Sequence, residues 1–204
     1  MITLYDAELS GNCYKVRLLL ALLGLEHARE PIDLAAGENR TEAFLRLNPR
    51  GQIPVLTDGP VTVWDSQAIL VYLARRYATP GWLPLAAEPL AEVMQWLAFA
   101  GNECLFGMAR ARAIRIFGRP GDLAECQEYA RRGLAVLDAH LAGRDWLAGP
   151  GATIADLACY PYCALVPAGG IALDPYRNAR AWMARIEALP GYVGMPGIEA
   201  QRGT

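Results

Sequence analysis

Histidine is scarce in this chain, two among 204 residues, and the five cysteines (Cys13, Cys104, Cys126, Cys159 and Cys163) form no CxxC pair and no Cys/His zinc spacing. These absences argue against a metal centre, a dithiol redox motif and a dense disulfide framework. An odd number of thiols fits a reducing compartment. No apolar run approaches a membrane span in length. The chain enters Ile2-Thr3-Leu4-Tyr5 without a basic segment or a long apolar one, so no secretory signal is read there, and the expected location is the cytoplasm. In that setting the Asn39-Arg40-Thr41 glycosylation sequon carries no meaning. Net charge is small as well: −2 gives no general attraction to nucleic acid or to an acidic membrane. Repeats and low-complexity stretches are missing. Core-forming material is plentiful, 53% hydrophobic against 20% charged, enough for one large or two small domains.

The patterning changes character along the chain. Ile2–Tyr5 predicts a strand. Val16, Leu19, Leu20 and Leu23 fall on one face of a helix over 13–23 that Gly24 stops. A second strand is expected over 31–34 and a short helix over 41–47, ending before Pro49. Ile53–Thr57 and Val61–Trp64 are β-branched runs around Asp58-Gly59-Pro60, a hairpin signal, and a helix starts near Ser66. The order β-α-β-α-β-β-α predicts a mixed sheet flanked by helices over 1–79. Residues 80–87, rich in Pro and Gly, read as a linker. The remainder, 88–204, predicts helices only. One long helix runs over 88–117, and another carries Leu134, Leu137 and Leu141. A third starts at the capping-box-like Thr153-Ile154-Ala155-Asp156 and is kinked or shortened by Pro161; the last carries Trp182, Ile186 and Leu189.

Three short stretches carry chemistry. Ser10-Gly11-Asn12-Cys13 lies where a strand hands over to a helix, and free N–H groups with the helix dipole there favour an anion or a thiolate. Ser10 or Asn12 could donate a hydrogen bond to a bound sulfur, or simply cap the helix. In Asn48-Pro49-Arg50-Gly51-Gln52-Ile53-Pro54, a cis Pro54 would turn the backbone of Ile53 outward to pair with an extended peptide, and a trans one would mark an edge strand. In Trp64-Asp65-Ser66-Gln67, either residue could be an N-cap. Alternatively, the helix N-terminus with Ser66 holds a carboxylate while Asp65 pairs with an ammonium, the two charges of an α-amino acid group.

Together these stretches resemble the N-terminal domain of cytosolic glutathione transferases. Ser-x-Asn followed by Lys15-Val16, the Asn48-Pro49 to Ile53-Pro54-Val55-Leu56 run, Asp65-Ser66-Gln67-Ala68-Ile69 and the Thr153–Asp156 box fall in that family's order and spacing, from Met1 to about Gly197. The resemblance implies a thioredoxin-like N-terminal domain (α/β) followed by an all-helical domain for the second substrate and dimerisation. It implies that Ser66 and Asp65 hold the γ-glutamyl end of glutathione and that Ile53, before a cis Pro54, pairs with its cysteinyl backbone. Gln52 and Asn39 stand near the place of its glycine carboxylate, although Asn39-Arg40-Thr41-Glu42 also reads as a helix cap.

The residue that activates the thiol is left open. Ser10 matches the serine of theta- and zeta-type classes, Asn12 the asparagine of bacterial disulfide-reductase-like members, and Tyr5 lies near the tyrosine of other classes. The cysteine-type beta class fits poorly, because Asn12 and Leu105 stand where its cysteine and helper histidine would fall; Cys13 is one step away, either packed beneath the site or reactive. Arg112, Arg115 and Arg119 are spaced i, i+3, i+7, a solvated row or a face attractive to anionic substrates. The resemblance also implies a homodimer, with Glu103 reaching the neighbour's glutathione. Transfer of the glutathione sulfur to a small electrophile is the expected activity, without a metal. A glutathione-dependent disulfide or peroxide reductase, and a non-catalytic dimeric interaction module, are the alternatives.

Overall fold

The computed structural model describes residues 1–198; residues 199–204 of the expected helical domain lie outside the described residues. Strand β1 (Ile2–Asp6) leads through Ser10 into helix α1 (Gly11–Leu22), followed by β2 (His27–Pro31), α2 (Glu42–Leu47), β3 (Val55–Asp58), β4 (Val61–Trp64) and α3 (Ser66–Tyr77). The sheet order is β2-β1-β3-β4, with β1 parallel to β2 and antiparallel to β3, and β3 antiparallel to β4. This is a thioredoxin-like unit. β2 lies upstream of the expected 31–34. His27–Pro31 is a polar, partly exposed edge strand without an apolar alternation, so only its pairing with β1 makes it a strand.

After a 3₁₀ turn at Pro80–Trp82 come α4 (Ala87–Phe99), a π-helical stretch Ala100–Ala109, α5 (Arg110–Phe117), α6 (Leu123–His140), α7 (Ile154–Ala164) and α8 (Arg177–Glu187). The second unit is thus all helical. Arg75 Nη1 and Nη2 donate to the carbonyls of Leu83 and Pro84 at 2.9 and 2.8 Å, fastening the connection to α3. The expected helix over 88–117 is present as a rod, but its middle is π-helical, which periodicity at 3.6 residues per turn does not reveal. There Gly107 lies against α6, where a Cβ would come within 2.6 Å of the Ala130 nitrogen. Gly118, at φ 61°, ends the rod.

Helix α1 is almost entirely buried and packs between α3 and α7, so one hydrophobic core runs through both units. α7 is buried along its length and begins with a complete capping box. Asp156 accepts from Thr153 N at 2.8 Å, Leu147 N at 3.0 Å and Trp182 Nε1 at 2.8 Å, tying α7 to α8 and to the preceding loop. Pro161 does not cut the helix short: α7 continues to Ala164, held by packing on every side. Among the described residues no helix is long and apolar enough to cross a membrane.

Candidate functional site

The turn from β1 into α1 is clamped from below by charge. Asp6 is 1% exposed and takes two hydrogen bonds from Arg17 Nη1, at 2.8 and 2.9 Å, and one from Arg29 Nε at 2.7 Å. Arg17 then reaches up to the backbone of the turn, donating through Nη2 to the Glu8 carbonyl at 2.8 Å and through Nη1 to that of Ala7 at 3.4 Å. A buried ion cluster therefore fixes the backbone that presents Ser10 at the N-terminus of α1. Ser10 Oγ accepts from Cys13 N at 3.3 Å, so it caps the helix, and its own O–H stays available as a donor. Gly11 is required beneath: a Cβ there would sit 2.7 Å from the Tyr162 ring.

Asn12, one turn position on, accepts from Ser66 Oγ at 3.5 Å, which joins the start of α1 to the start of α3. Asp65 is the N-cap of α3 and the only non-glycine residue of positive φ (76°) among the described residues. Such a conformation costs of order 1–3 kcal/mol and is concentrated at functional sites. Its Oδ1 accepts from Gln67 N at 2.9 Å, and its Oδ2 lies 3.5 Å from Arg50 Nη1. Ser66 is buried behind Asp65. The Ile53–Pro54 peptide bond is cis, just before β3. Asn39 does not cap α2. Thr41 does, accepting from Phe44 N at 3.3 Å, and Asn39 Nδ2 donates to the Gly51 carbonyl at 2.6 Å instead.

Two cavities open on this turn. A polar cleft of about 500 Å³ is lined by Ser10, Asn12, Asn39, Arg50, Gln52, Ile53 and Asp65, with Arg40 and Arg119. An apolar cavity of about 700 Å³ lies beside it, walled by Leu9, Ile32, Leu34, Leu105, Ala109, Ala113, Phe117 and Tyr162. Ser10 lines both, as do Leu34, Leu105 and Arg119. The arrangement can hold a charged, extended molecule in the cleft and an apolar one beside it, with Ser10 at the seam.

Several expected residues lie elsewhere. Tyr5 lines neither cavity and packs edge-on against Phe44. Cys13 is fully buried, and burial pushes its thiol up to about 12, which removes the reactive thiolate reading. The arginine row splits: Arg112 on α5 and Arg119 beyond Gly118 both line the apolar cavity, whereas Arg115 does not. Arg112 is buried against the apolar cavity; Arg115 is exposed, lies over Gly170 and is not among the cavity's lining residues. Glu103 lies in the π-helical stretch with its Cβ over Gly133, away from both cavities of its own chain. Arg50 and Tyr162 were not legible as site residues. Arg50 lies within the Asn48–Pro54 stretch but carries no role there by itself, Tyr162 lies in no motif, and only the fold brings the two to the site.

Comparison with known proteins agrees with this geometry over both units. Residues 9–76 match the family described as "Glutathione S-transferase, N-terminal domain", and residues 91–190 the one described as "Glutathione S-transferase, C-terminal domain". The chain is 34% identical over 206 residues to glutathione S-transferase 3 of Zea mays, covering 94% of this chain and 91% of that one. Among solved structures it is similar to a glutathione S-transferase from Pseudomonas fluorescens Pf-5, with 34% identity, a TM-score of 0.90, and coverage of 96% and 98% of the two chains. It is also similar to Ure2p in complex with glutathione, at 25% identity and a TM-score of 0.86, over 93% of this chain and 95% of that one.

Proposed function

The chain belongs to the glutathione S-transferase family, and from that premise we propose that it binds glutathione in the polar cleft and transfers its sulfur to a small electrophile in the apolar cavity. The observation that carries this reading is the meeting of the two cavities at Ser10, on the positive end of α1. A thiol there needs a lowered pKa, since at its ordinary value of about 8.5 it is mostly protonated at neutral pH. The Ser10 O–H and the Asn12 amide are the donors proposed to stabilise the thiolate. Asp65 takes the ammonium, the N-terminus of α3 with Ser66 the carboxylate of the same γ-glutamyl group, and the Ile53 backbone the cysteinyl segment. Asn39 and Gln52 are assigned to the glycine end. The strained φ of Asp65 supports its role, because a capping residue alone has no need of it.

The protein is further proposed to act as a homodimer in the cytoplasm, with Glu103 reaching the glutathione of the neighbouring copy. Asp65→Asn is the discriminating variant, since its Oδ1 can still accept from Gln67 N while the charge is lost. Glutathione affinity should fall by about 1.5–3 kcal/mol on titration calorimetry. Equal affinity for wild type and variant would remove Asp65 from the site. Favourable thiol exchange with no conjugation of any electrophile would shift the reading to a disulfide or peroxide reductase on the same cleft.

A further inference from the structure

We propose that the apolar cavity selects electrophiles carrying an anionic group, with Arg112 as the residue that sets the preference; this rests on the glutathione reading for the reaction, though not for the binding. Arg112 is 6% exposed and lines the cavity. Its Nη1 donates to the Leu9 carbonyl at 3.1 Å, next to Ser10, while its Nε is buried without a hydrogen-bond partner. The guanidinium lies 5.0 Å from the centre of the Phe117 ring, which offsets only part of the lost hydration. A buried guanidinium stays charged. Left without a counter-ion, it is a cost to the folded chain that a bound anion would remove.

The other charges around the cavity do not supply that counter-ion. Glu8 is engaged by Arg29 at 2.6 Å and by Arg17 at 4.0 Å. Asp33 Oδ1 accepts from the backbone N–H groups of Ala35 and Ala36 at 2.8 and 3.0 Å. Arg110 and Arg119 stand at the mouth, and among the described residues neither they nor Arg112 pairs with a carboxylate. The exposed pair is screened by salt. Arg112, shielded and fixed beside the seam, discriminates. A carboxylate or sulfonate on an apolar ring would meet Arg112 while the ring fills the cavity and its electrophilic carbon faces the thiol position at Ser10. In such a reaction the thiolate sulfur bonds to the ring carbon and chloride leaves with the bonding pair.

Direct binding tests this without glutathione. The probes are 8-anilinonaphthalene-1-sulfonate and its uncharged counterpart N-phenyl-1-naphthylamine, titrated by fluorescence to saturation. Wild type should favour the sulfonate by about tenfold to a hundredfold, the range of a hydrogen bond to a charged group. Arg112→Met should abolish the preference, Arg112→Lys keep part of it, and Arg110→Met/Arg119→Met leave most of it. Equal affinities in wild type overturn the proposal, as does a preference that survives in Arg112→Met. If Arg112→Met does not fold, loss of the preference in the double variant overturns it equally. With glutathione present, kcat/KM for 4-chloro-3-nitrobenzoate over the corresponding benzamide should fall with the dye preference. A dye preference without turnover of either compound upholds the anion site and sinks the transferase reading instead.

Discussion

Ser10 carries two roles that do not compete, because its oxygen caps α1 while its hydrogen can point into either cavity. Asn12 lines the polar cleft alone and leans on Ser66. Ser10→Ala and Asn12→Ala should each raise the pKa of bound glutathione, read by thiolate absorbance. Each should slow turnover by roughly tenfold to a thousandfold with a smaller effect on affinity, since a thiolate rewards the donor more than a thiol does. If neither pKa moves, the dipole of α1 alone activates the sulfur. Loss of the cap in Ser10→Ala should cost about 0.5–2 kcal/mol of stability too, so its melting curve belongs beside its kinetics. Beneath the turn, burial holds the Cys13 thiol protonated up to about 12 against an ordinary 9.0. Between those values the folded chain keeps a proton that the unfolded chain releases, so this contribution is intact below pH 9 and is lost as pH rises toward 12. Urea unfolding of Cys13→Ala across that range should show a shallower alkaline decline than wild type, and parallel declines would place the thiol elsewhere.

At the scale of elements, the π-helical stretch lines the apolar cavity and sets how closely α6 packs within the second unit. Leu105 and Ala109 reach the apolar cavity from it, while Cys104 and Met108 turn into the core. Gly107 lets α6 approach, and a methyl group there meets backbone at 2.6 Å, which cannot move aside as a side chain can. Gly107→Ala should therefore destabilise the protein by about 1–3 kcal/mol in urea unfolding, the usual cost of overpacking. Gly101→Ala is the control: its new Cβ would meet only the end of the Gln67 side chain at 3.2 Å, and helix propensity favours alanine by up to about 1 kcal/mol. Equal effects of the two variants would mean that the rod and α6 are not locked at Gly107.

For the whole molecule, exposed apolar side chains occur on both units. Val61, Trp64 and Tyr77 lie on β4 and α3, and Met94, Phe106 and Val136 on the helices of the second unit. A twofold dimer joining both units of each copy would cover such residues, and twofold dimers are the commonest soluble assemblies. Light scattering at micromolar concentration should give twice the mass of the chain, and a monomeric mass unchanged by glutathione would also remove the proposed role of Glu103. Within one chain, the buried length of α1 makes the two units a single core, so the turn at Ser10 inherits the rigidity of both.

By itself the sequence determined the order of elements, the hairpin at Asp58-Gly59-Pro60, the capping box at Thr153 and the switch from mixed to helical structure. Each of these depends on residues close together in the chain, where turn chemistry and periodicity act directly. Ser10, Asn12 and Asp65 were legible as cleft residues for the same reason, since strand-to-helix turns announce themselves locally. Ile53 was legible through the proline that follows it, whereas Gln52 was expected there only by the family resemblance. Tertiary structure decided the rest. Asp65 acquires its positive φ, Asn39 its bond to Gly51, and Arg112 its burial only when distant segments pack together. Edge strand β2 is a strand because β1 pairs with it, and of the arginine row Arg112 and Arg119 reach the apolar cavity while Arg115 packs over Gly170. A side chain's spacing along the chain fixes its direction on an ideal element, whereas its environment is set by what the fold brings opposite, and that information is nonlocal.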